Sequence, residues 1–290
     1  MHRFKNILCV VNPTGKPSAV VRRASELAAL QGTDLTLVHV VQDQDQAHDH
    51  DSAEHRLLNE DGSAGDLVSR PLCGNPAEEI IKQVLRGKHD LLIKPVEDPD
   101  SRTGRLAVVD KFLLRECPCP AWFFKPARHA RHERILAALD SDPDGANAEL
   151  NDLVLDFSTS LAANEQIEIH AVSSWGINGE EAMRSRVGLL AVRRLAAGIR
   201  RANMKWLKRL TEPYSRRGAK FHVHLKKGKC NEAILAEAKK RRLDLIVMGT
   251  TGRAGIAEFL FGTTAEKVLL QVDCSVLTVK PRGFVSAVDA

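Results

Sequence analysis

Glycine stands at 249, 252 and 262, with threonine at 250, 251, 263 and 264, giving the spacing G-x2-G-x9-G-T. Glycine lets a backbone turn tightly and lets a ligand approach it closely. Gly262-Thr263-Thr264 opens a helical pattern, and the free N–H groups and dipole of a helix start favour phosphate. Threonine hydroxyls add hydrogen bonds. No Gly-Lys-Ser/Thr stands at P-loop spacing, and the glycines follow the fourth strand-like run of their half rather than the first, so this is no dinucleotide fingerprint either. A Gly-Thr-Thr-Gly turn could serve only as a tight connection. The full spacing, the helix start and the place after a strand favour ligand binding over that reading. Asp140 ends another apolar run, 135–139, and is the nearest candidate acid. Arg253 offers a phosphate partner or a solvated cation. Ile256, Phe259, Leu260 and Phe261 make the loop unusually apolar. They suit packing on an adjoining domain, or a cavity for an apolar molecule.

The other reactive side chains organise less. His222-Val223-His224 puts two imidazoles on one face of a strand, a pair that can bind metal. The sequence places no third ligand, so two surface histidines are the plainer reading and no metal is assigned. His48, His50 and His55 sit in an acidic stretch that reads as a solvated loop. His39 and His170 recur at the ends of matching strands, which suggests one structural role in two places. The six cysteines form no CxxC pair, and Cys117-Pro118-Cys119 is too close for a relaxed disulfide, so reduced thiols are expected. No nucleophile can be matched to a base, and no catalytic residue is assigned.

The elements that must position these residues repeat. Five segments recur in one order. Residues 5–12 match 133–140, 35–40 match 167–172, 73–80 match 227–234, 90–93 match 244–247, and 119–126 match 274–281. The join falls near the polar stretch 127–131, dividing the chain into domains 1–128 and 129–290. Each half alternates short apolar runs with helical patterns, which reads as right-handed βαβ crossovers and a parallel sheet covered on both faces. The expected class is α/β: two tandem doubly wound domains, each a five-stranded parallel sheet flanked by helices. Between the second and third strands the halves differ. Residues 43–66 are acidic and read as a loop with a residual helix. Residues 179–217 are Arg-rich and read as one full helix, with Val187, Leu190, Leu195, Ile199, Met204, Leu207 and Leu210 at helical spacing.

G-x2-G-x9-G-S/T after a fourth strand resembles the ATP-binding signature of the universal stress protein family, whose fold is the adenine nucleotide alpha hydrolase-like one. The resemblance covers nearly the whole chain as two copies. Residues 110–118 resemble the E-type tandem members found in proteobacteria. The resemblance implies an adenine nucleotide at the switch point of the second sheet, between the ends of its first and fourth strands. Asp140 would contact ribose or adenine, Ala171 would frame the base where valine is usual, and Met248 and Gly249 would line its side. Gly252, Gly262, Thr263 and Thr264 would hold the phosphates. The first copy departs from the pattern. Asn12 replaces Asp140, Lys94-Pro95 replaces Met248-Gly249, and Ala107-Val108 falls where Gly262-Thr263 would be. Proline donates no N–H, so no phosphate site is expected there, and a scaffold role paired with the second copy is.

Composition sets the outer bounds. The chain has 290 residues, 43% apolar and 27% charged, enough for two ordinary cores and too polar throughout for a membrane span. The amino terminus runs straight into a strand pattern without a signal-peptide pattern, so a cytoplasmic location is expected. The net charge is +5, with basic residues crowded into the second half, where such a face could contact nucleic acid or acidic lipid. Aromatic residues are only 4%, which argues against base stacking and against nucleic acid as a partner. The resulting expectation is a stress-response sensor or binding module that takes ATP, with Mg²⁺, in its second domain, and that could dimerise further. The alternatives are slow ATP hydrolysis or self-phosphorylation, and a scaffold that binds no nucleotide or an apolar ligand.

Overall fold

The computed structural model describes residues 4–11, 19–41, 55–58, 64–97, 106–126, 134–141, 147–162, 167–250 and 263–289. It divides into two compact units: His129–Gly249, and His2–Arg128 together with Thr250–Ala290.

The larger unit holds β1 (Asn6–Val10), α1 (Ala19–Gln31), β2 (Asp34–Val41), β3 (His55–Leu58), β4 (Ala64–Cys73) and α2 (Pro76–Gly87). These are followed by β5 (Leu91–Pro95), α3 (Val108–Glu116) and β6 (Ala121–Phe124). Strands run in the order β3-β4-β2-β1-β5-β6. All adjacent pairs are parallel except β3 with β4. The central strands are short apolar runs buried on both faces, such as Leu91, Leu92 and Ile93 at 0–1% exposure, as a parallel sheet under two helical layers requires. The stretch read as a loop with a residual helix instead gives β3 and the start of β4 in its described part. Its backbone pairs along β4, whose N–H and C=O groups would otherwise form an open edge.

The same unit includes α8 (Thr263–Gln271) and β11 (Ser275–Val279). Strand β11 runs antiparallel to β6, with Leu277 opposite Trp122. The matched Lys-Pro pairs that follow these strands are used reciprocally. Lys125 Nζ donates to the carbonyls of Leu269 (2.7 Å) and Val272 (2.6 Å) at the end of α8. Lys280 Nζ donates to those of Leu114 (2.8 Å) and Arg115 (2.9 Å) at the end of α3. Each ammonium thus satisfies carbonyls that a helix end leaves unpaired. Burial pushes Lys280 down to about 8, with the charges of Cys117 and Glu116 opposing it.

The second unit holds β7 (Arg134–Ala138), α4 (Ala148–Ala162), β8 (Glu168–Trp175), α5 (Glu180–Val187), α6 (Leu189–Ser215), β9 (Phe221–Lys227), α7 (Cys230–Arg241) and β10 (Leu245–Gly249). Its strands are all parallel, in the order β10-β7-β8-β9. The repeat read from sequence recurs in its backbone contacts. Asp90 accepts from the backbone of Lys5 (2.8 Å) and Asn6 (3.0 Å), and Asp244 accepts from that of Arg134 (3.1 Å). Gly74 and Gly228 take φ of 130° and 124° before matching helices, which only glycine adopts without strain. The Arg-rich stretch is two helices rather than one, because Gly188 at φ 83° and ψ 161° breaks it. Its buried residues on α6 are Val192, Asn203, Leu207 and Thr211, whereas Val187, Leu190 and Leu195 face water.

Candidate functional site

The sheet of the second unit brings four of the expected residues to its carboxyl end. Asp140 lies just past β7, Ala171 sits on β8, and Met248 and Gly249 close β10. Register places Ala137 beside Ala171 and Ala138 beside Met248. Ala171 and Met248 are buried, at 0% and 3% exposure, so they line the strand ends from within. Asp140 is exposed. Its position is set by α4: Asn151 Oδ1 accepts from the Asp140 amide (2.9 Å), and Asn151 Nδ2 donates to the Asp140 carbonyl (3.0 Å). Asn147 Nδ2 donates to the carboxylate itself (2.8 Å). A buried amide clamps the backbone while a second one steers the charge.

Gly249 has a reason of its own to be glycine. A Cβ there would lie 2.6 Å from Leu150 Cγ on α4, far inside contact distance. The close approach at this position is therefore made by a helix side chain, whatever a ligand does. Thr263 and Thr264 open α8, in the other compact unit. Gly252, Gly262, Arg253, Ile256, Phe259, Leu260 and Phe261 lie outside the described residues, as do Asn12, His48 and His50.

Residues that the sequence did not single out complete the strand ends. Helix α7 starts after β9 with Lys229 as its cap and no side-chain capping bond, so its first N–H groups lack a side-chain acceptor. At that start, burial and then the charge of Asp140 push the Cys230 thiol up to about 11, against a hydrogen bond with Ser174. The side chains of Ser141 and Asn203 are hydrogen-bonded, tying the strand end to α6. Only pairing across the sheet joins Asp140, Ser174 and Cys230, which are 34 or more positions apart in sequence.

The corresponding place in the first copy is filled. Lys94, at the position of Met248, is buried, and its ammonium reaches Asp110 Oδ1 (2.8 Å), Glu97 Oε1 (2.9 Å) and the Pro95 carbonyl (3.1 Å). Asp110 Oδ2 accepts from the Glu97 amide (3.1 Å). Asp110 is wholly buried on α3, where its counterpart on α8 is Ala265. Burial pushes the Asp110 carboxyl up, and Lys94 only partly pulls it back. Helix α2 starts with Asn75, whose side chain accepts from the Ala77 amide (3.1 Å) and the Glu78 amide (3.4 Å). Both the strand end and the helix start are thus satisfied internally.

The histidines gather more than the sequence suggested. His170 Nδ1 lies 3.1 Å from His224 Nε2, and the His170 ring stacks on His222 at 5.0 Å. The third imidazole comes from the neighbouring strand β8, where register sets His170 beside His222. Among the described residues no group of three His, Cys, Asp or Glu could hold a metal ion. Burial pushes His170 down to about 4, with help from Arg241 and the other two histidines. Burial alone would raise Glu237, but hydrogen bonds from Lys226 and Arg241 (2.6 Å each) outweigh it and hold the carboxyl down to about 2. His39 pairs with Ser69 Oγ at 3.0 Å, and it is not the counterpart of His170. Val11 donates to the Val38 carbonyl as Leu139 does to that of Val172, so the register matches His39 with Ser173 and corrects the shared role expected from sequence.

A model described as the universal stress protein family matches residues 3–125 and again 132–280. The chain belongs to the universal stress protein family. It is 26% identical to the universal stress protein E homolog of Haemophilus influenzae, covering 96% of this chain and 98% of that one. It is 30% identical to universal stress protein E of Photorhabdus laumondii, over 72% of this chain and 67% of the relative. Among solved structures it resembles the functionally unknown protein PA1789 from Pseudomonas aeruginosa PAO1. The TM-score is 0.70 and the identity 25%, over 96% of this chain and 93% of that one. A universal stress protein from Archaeoglobus fulgidus shares the fold, with a TM-score of 0.63 at 18% identity over 95% and 98% of the two chains. Universal stress proteins thus account for both copies and for the mostly parallel sheets. Among the described residues no helix is long and apolar enough to cross a membrane.

Proposed function

We propose that the second copy binds an adenine nucleotide and that the protein acts as a sensor or binding module of the stress response in the cytoplasm. Asp140, Ala171, Met248 and Gly249 receive the nucleoside, and Gly252, Gly262, Thr263 and Thr264 hold the phosphates, with Mg²⁺ as counter-ion when ATP is the ligand. The observation that carries this reading is Asp140. It is an exposed carboxylate clamped by Asn151 at a strand end, beside an uncapped helix start and a strand that leads into the glycine-threonine loop. An anion-capable loop next to a fixed ribose acceptor suits a nucleotide. The first copy, whose matching place is sealed by Lys94 and Asp110, serves as scaffold. We propose further that copies 1–128 and 129–290 pair as a built-in dimer, a reading that the β6–β11 ladder and the reciprocal lysines support.

Isothermal titration of the folded protein with ATP and Mg²⁺ tests the nucleotide reading. Saturable heat that disappears in Gly262→Val is expected. No heat at millimolar nucleotide would overturn it. Native mass spectrometry of the purified protein identifies any ligand that co-purifies.

A further inference from the structure

We propose that the hairpin of α5 and α6 docks on an anionic lipid bilayer. The proposed nucleotide site meets this hairpin through the Ser141–Asn203 hydrogen bond in the second half of α6, and the composition of the hairpin is unlike the rest of the chain. Residues 182–211 contain nine Lys or Arg and no Asp or Glu, whereas the whole chain carries only +5. Helix α5 buries none of its residues, and the first half of α6 buries only Val192. The second half is anchored through Asn203, Leu207 and Thr211, spaced one turn apart, so the first half extends from that anchored stretch.

The exposed surface of this hairpin is mixed. Among the described residues seven large hydrophobics are exposed, and four of them fall within nine positions here: Val187 (56%), Leu189 (38%), Leu190 (72%) and Leu195 (42%). Scattered exposed leucines need no explanation, but four on one basic hairpin do. Leu190, Arg194, Arg201, Lys205 and Lys208 follow one another at helical spacing and form a stripe on one side of α6. Arg201, Lys205, Lys208 and Arg209, with Glu212 as the single carboxylate among the described residues there, also border a shallow depression of about 630 Å³, large enough for a lipid headgroup.

Charge complementarity selects the occupant. The stretch 182–211, nine cations without an anion between Glu181 and Glu212, repels a second copy of itself. Its cations attract an anionic surface, each cation near such a surface adding to the attraction. A nucleic-acid backbone would satisfy the arginines but leave the leucines in water. A bilayer interface satisfies both, taking apolar side chains below the headgroups and arginines among them. The hairpin therefore lies on the membrane and does not cross it.

Vesicle sedimentation of the full-length protein tests the proposal. The vesicles are phosphatidylcholine alone, or phosphatidylcholine with about 30 mol% phosphatidylglycerol, in about 0.05 M and about 0.5 M NaCl. Pelleting with the anionic vesicles only, and loss of pelleting in high salt, is expected. Arg194→Glu with Arg201→Glu should weaken partitioning at least about tenfold. Leu190→Ser with Leu195→Ser, which leaves the charge unchanged, should weaken it about fivefold. All four positions are exposed, so both variants fold. Absence of pelleting, or equal pelleting with neutral vesicles, overturns the proposal. So does a leucine pair that leaves partitioning unchanged while the arginine pair abolishes duplex DNA binding. A dimer in light scattering that the leucine pair dissociates also overturns it, in favour of a second copy as occupant.

Discussion

The carboxyl ends of β5 and β10 occupy matching places in two copies of one fold, and they are finished in opposite ways. In the first copy Lys94 turns its ammonium onto Asp110, Glu97 and its neighbour's carbonyl, and Asn75 caps the adjacent helix. Among the described residues, Lys94, Glu97, Asp110 and Asn75 all have internal partners there. In the second copy Met248 and Ala265 stand where Lys94 and Asp110 would, Lys229 provides no side-chain cap, and Asp140 is exposed. Internal pairing leaves a strand end little to offer a ligand, while a helix start without a side-chain cap beside a fixed carboxylate can still bind one. In the first copy a few polar side chains thus pair with one another at the place where the second copy carries the proposed site.

The largest test of this contrast is the buried pair. Lys94→Met should cost about 3–5 kcal/mol in urea unfolding, because it strands the Asp110 carboxyl without its cation. Adding Asp110→Ala, which copies the second half, should recover most of that loss, since a buried ion pair adds little over an apolar one. If the double variant stays as unstable as the single, the pair is doing more than filling the strand end. Next comes Gly249→Ala. Its Cβ would run into Leu150, so a loss of about 1–3 kcal/mol is expected even without nucleotide. A drop in ATP affinity with stability unchanged would refute the packing role.

The matched lysines test the symmetry itself. Lys125→Met and Lys280→Met should each lower stability by up to about 2 kcal/mol, since both uncover helix carbonyls. Unequal costs would show that one end carries the ladder. Asp140→Ala should weaken ATP binding about tenfold, while thermal unfolding without ligand barely moves, because the carboxylate is exposed.

The smallest effect concerns pH. Folded His170 titrates near 4, below its ordinary 6.5, so the unfolded chain takes up the proton first. Stability is full above about pH 6.5 and falls as pH drops toward 4, by on the order of 1 kcal/mol at pH 5. His224→Ser, which removes the imidazole beside His170 Nδ1, should make that fall shallower in denaturant melts at pH 7.5 and 5. An unchanged slope would mean that His224 does not help to depress His170.

Much of this architecture is legible in the residue order. Five matched segments give the repeat, and apolar runs alternating with helical periods give two parallel sheets. Positions such as Asp90 with Asp244 and Gly74 with Gly228 keep the same backbone duties in both copies. The break at Gly188 is less legible, because one glycine in a long helical pattern is often tolerated. The strand β3 is hidden for another reason: an acidic stretch without alternation pairs for the sake of a sheet edge, which is a non-local demand. The third imidazole of the histidine cluster needs the register of β8 against β9, which no local pattern states.

The glycine-threonine spacing, Asp140 and the loss of both in the first copy are properties of the sequence alone. Residue type and local spacing decide which backbone can turn and which side chain can carry charge. Only the tertiary structure shows that Lys94 and Asp110 close the first strand end, that Asn151 fixes Asp140, that Leu150 requires Gly249, and that β11 joins β6. These are contacts between residues on different elements of the chain, from 11 to about 150 positions apart. Their energies come from burial and from the pairing of polar groups, and both depend on which distant segment arrives in the same place.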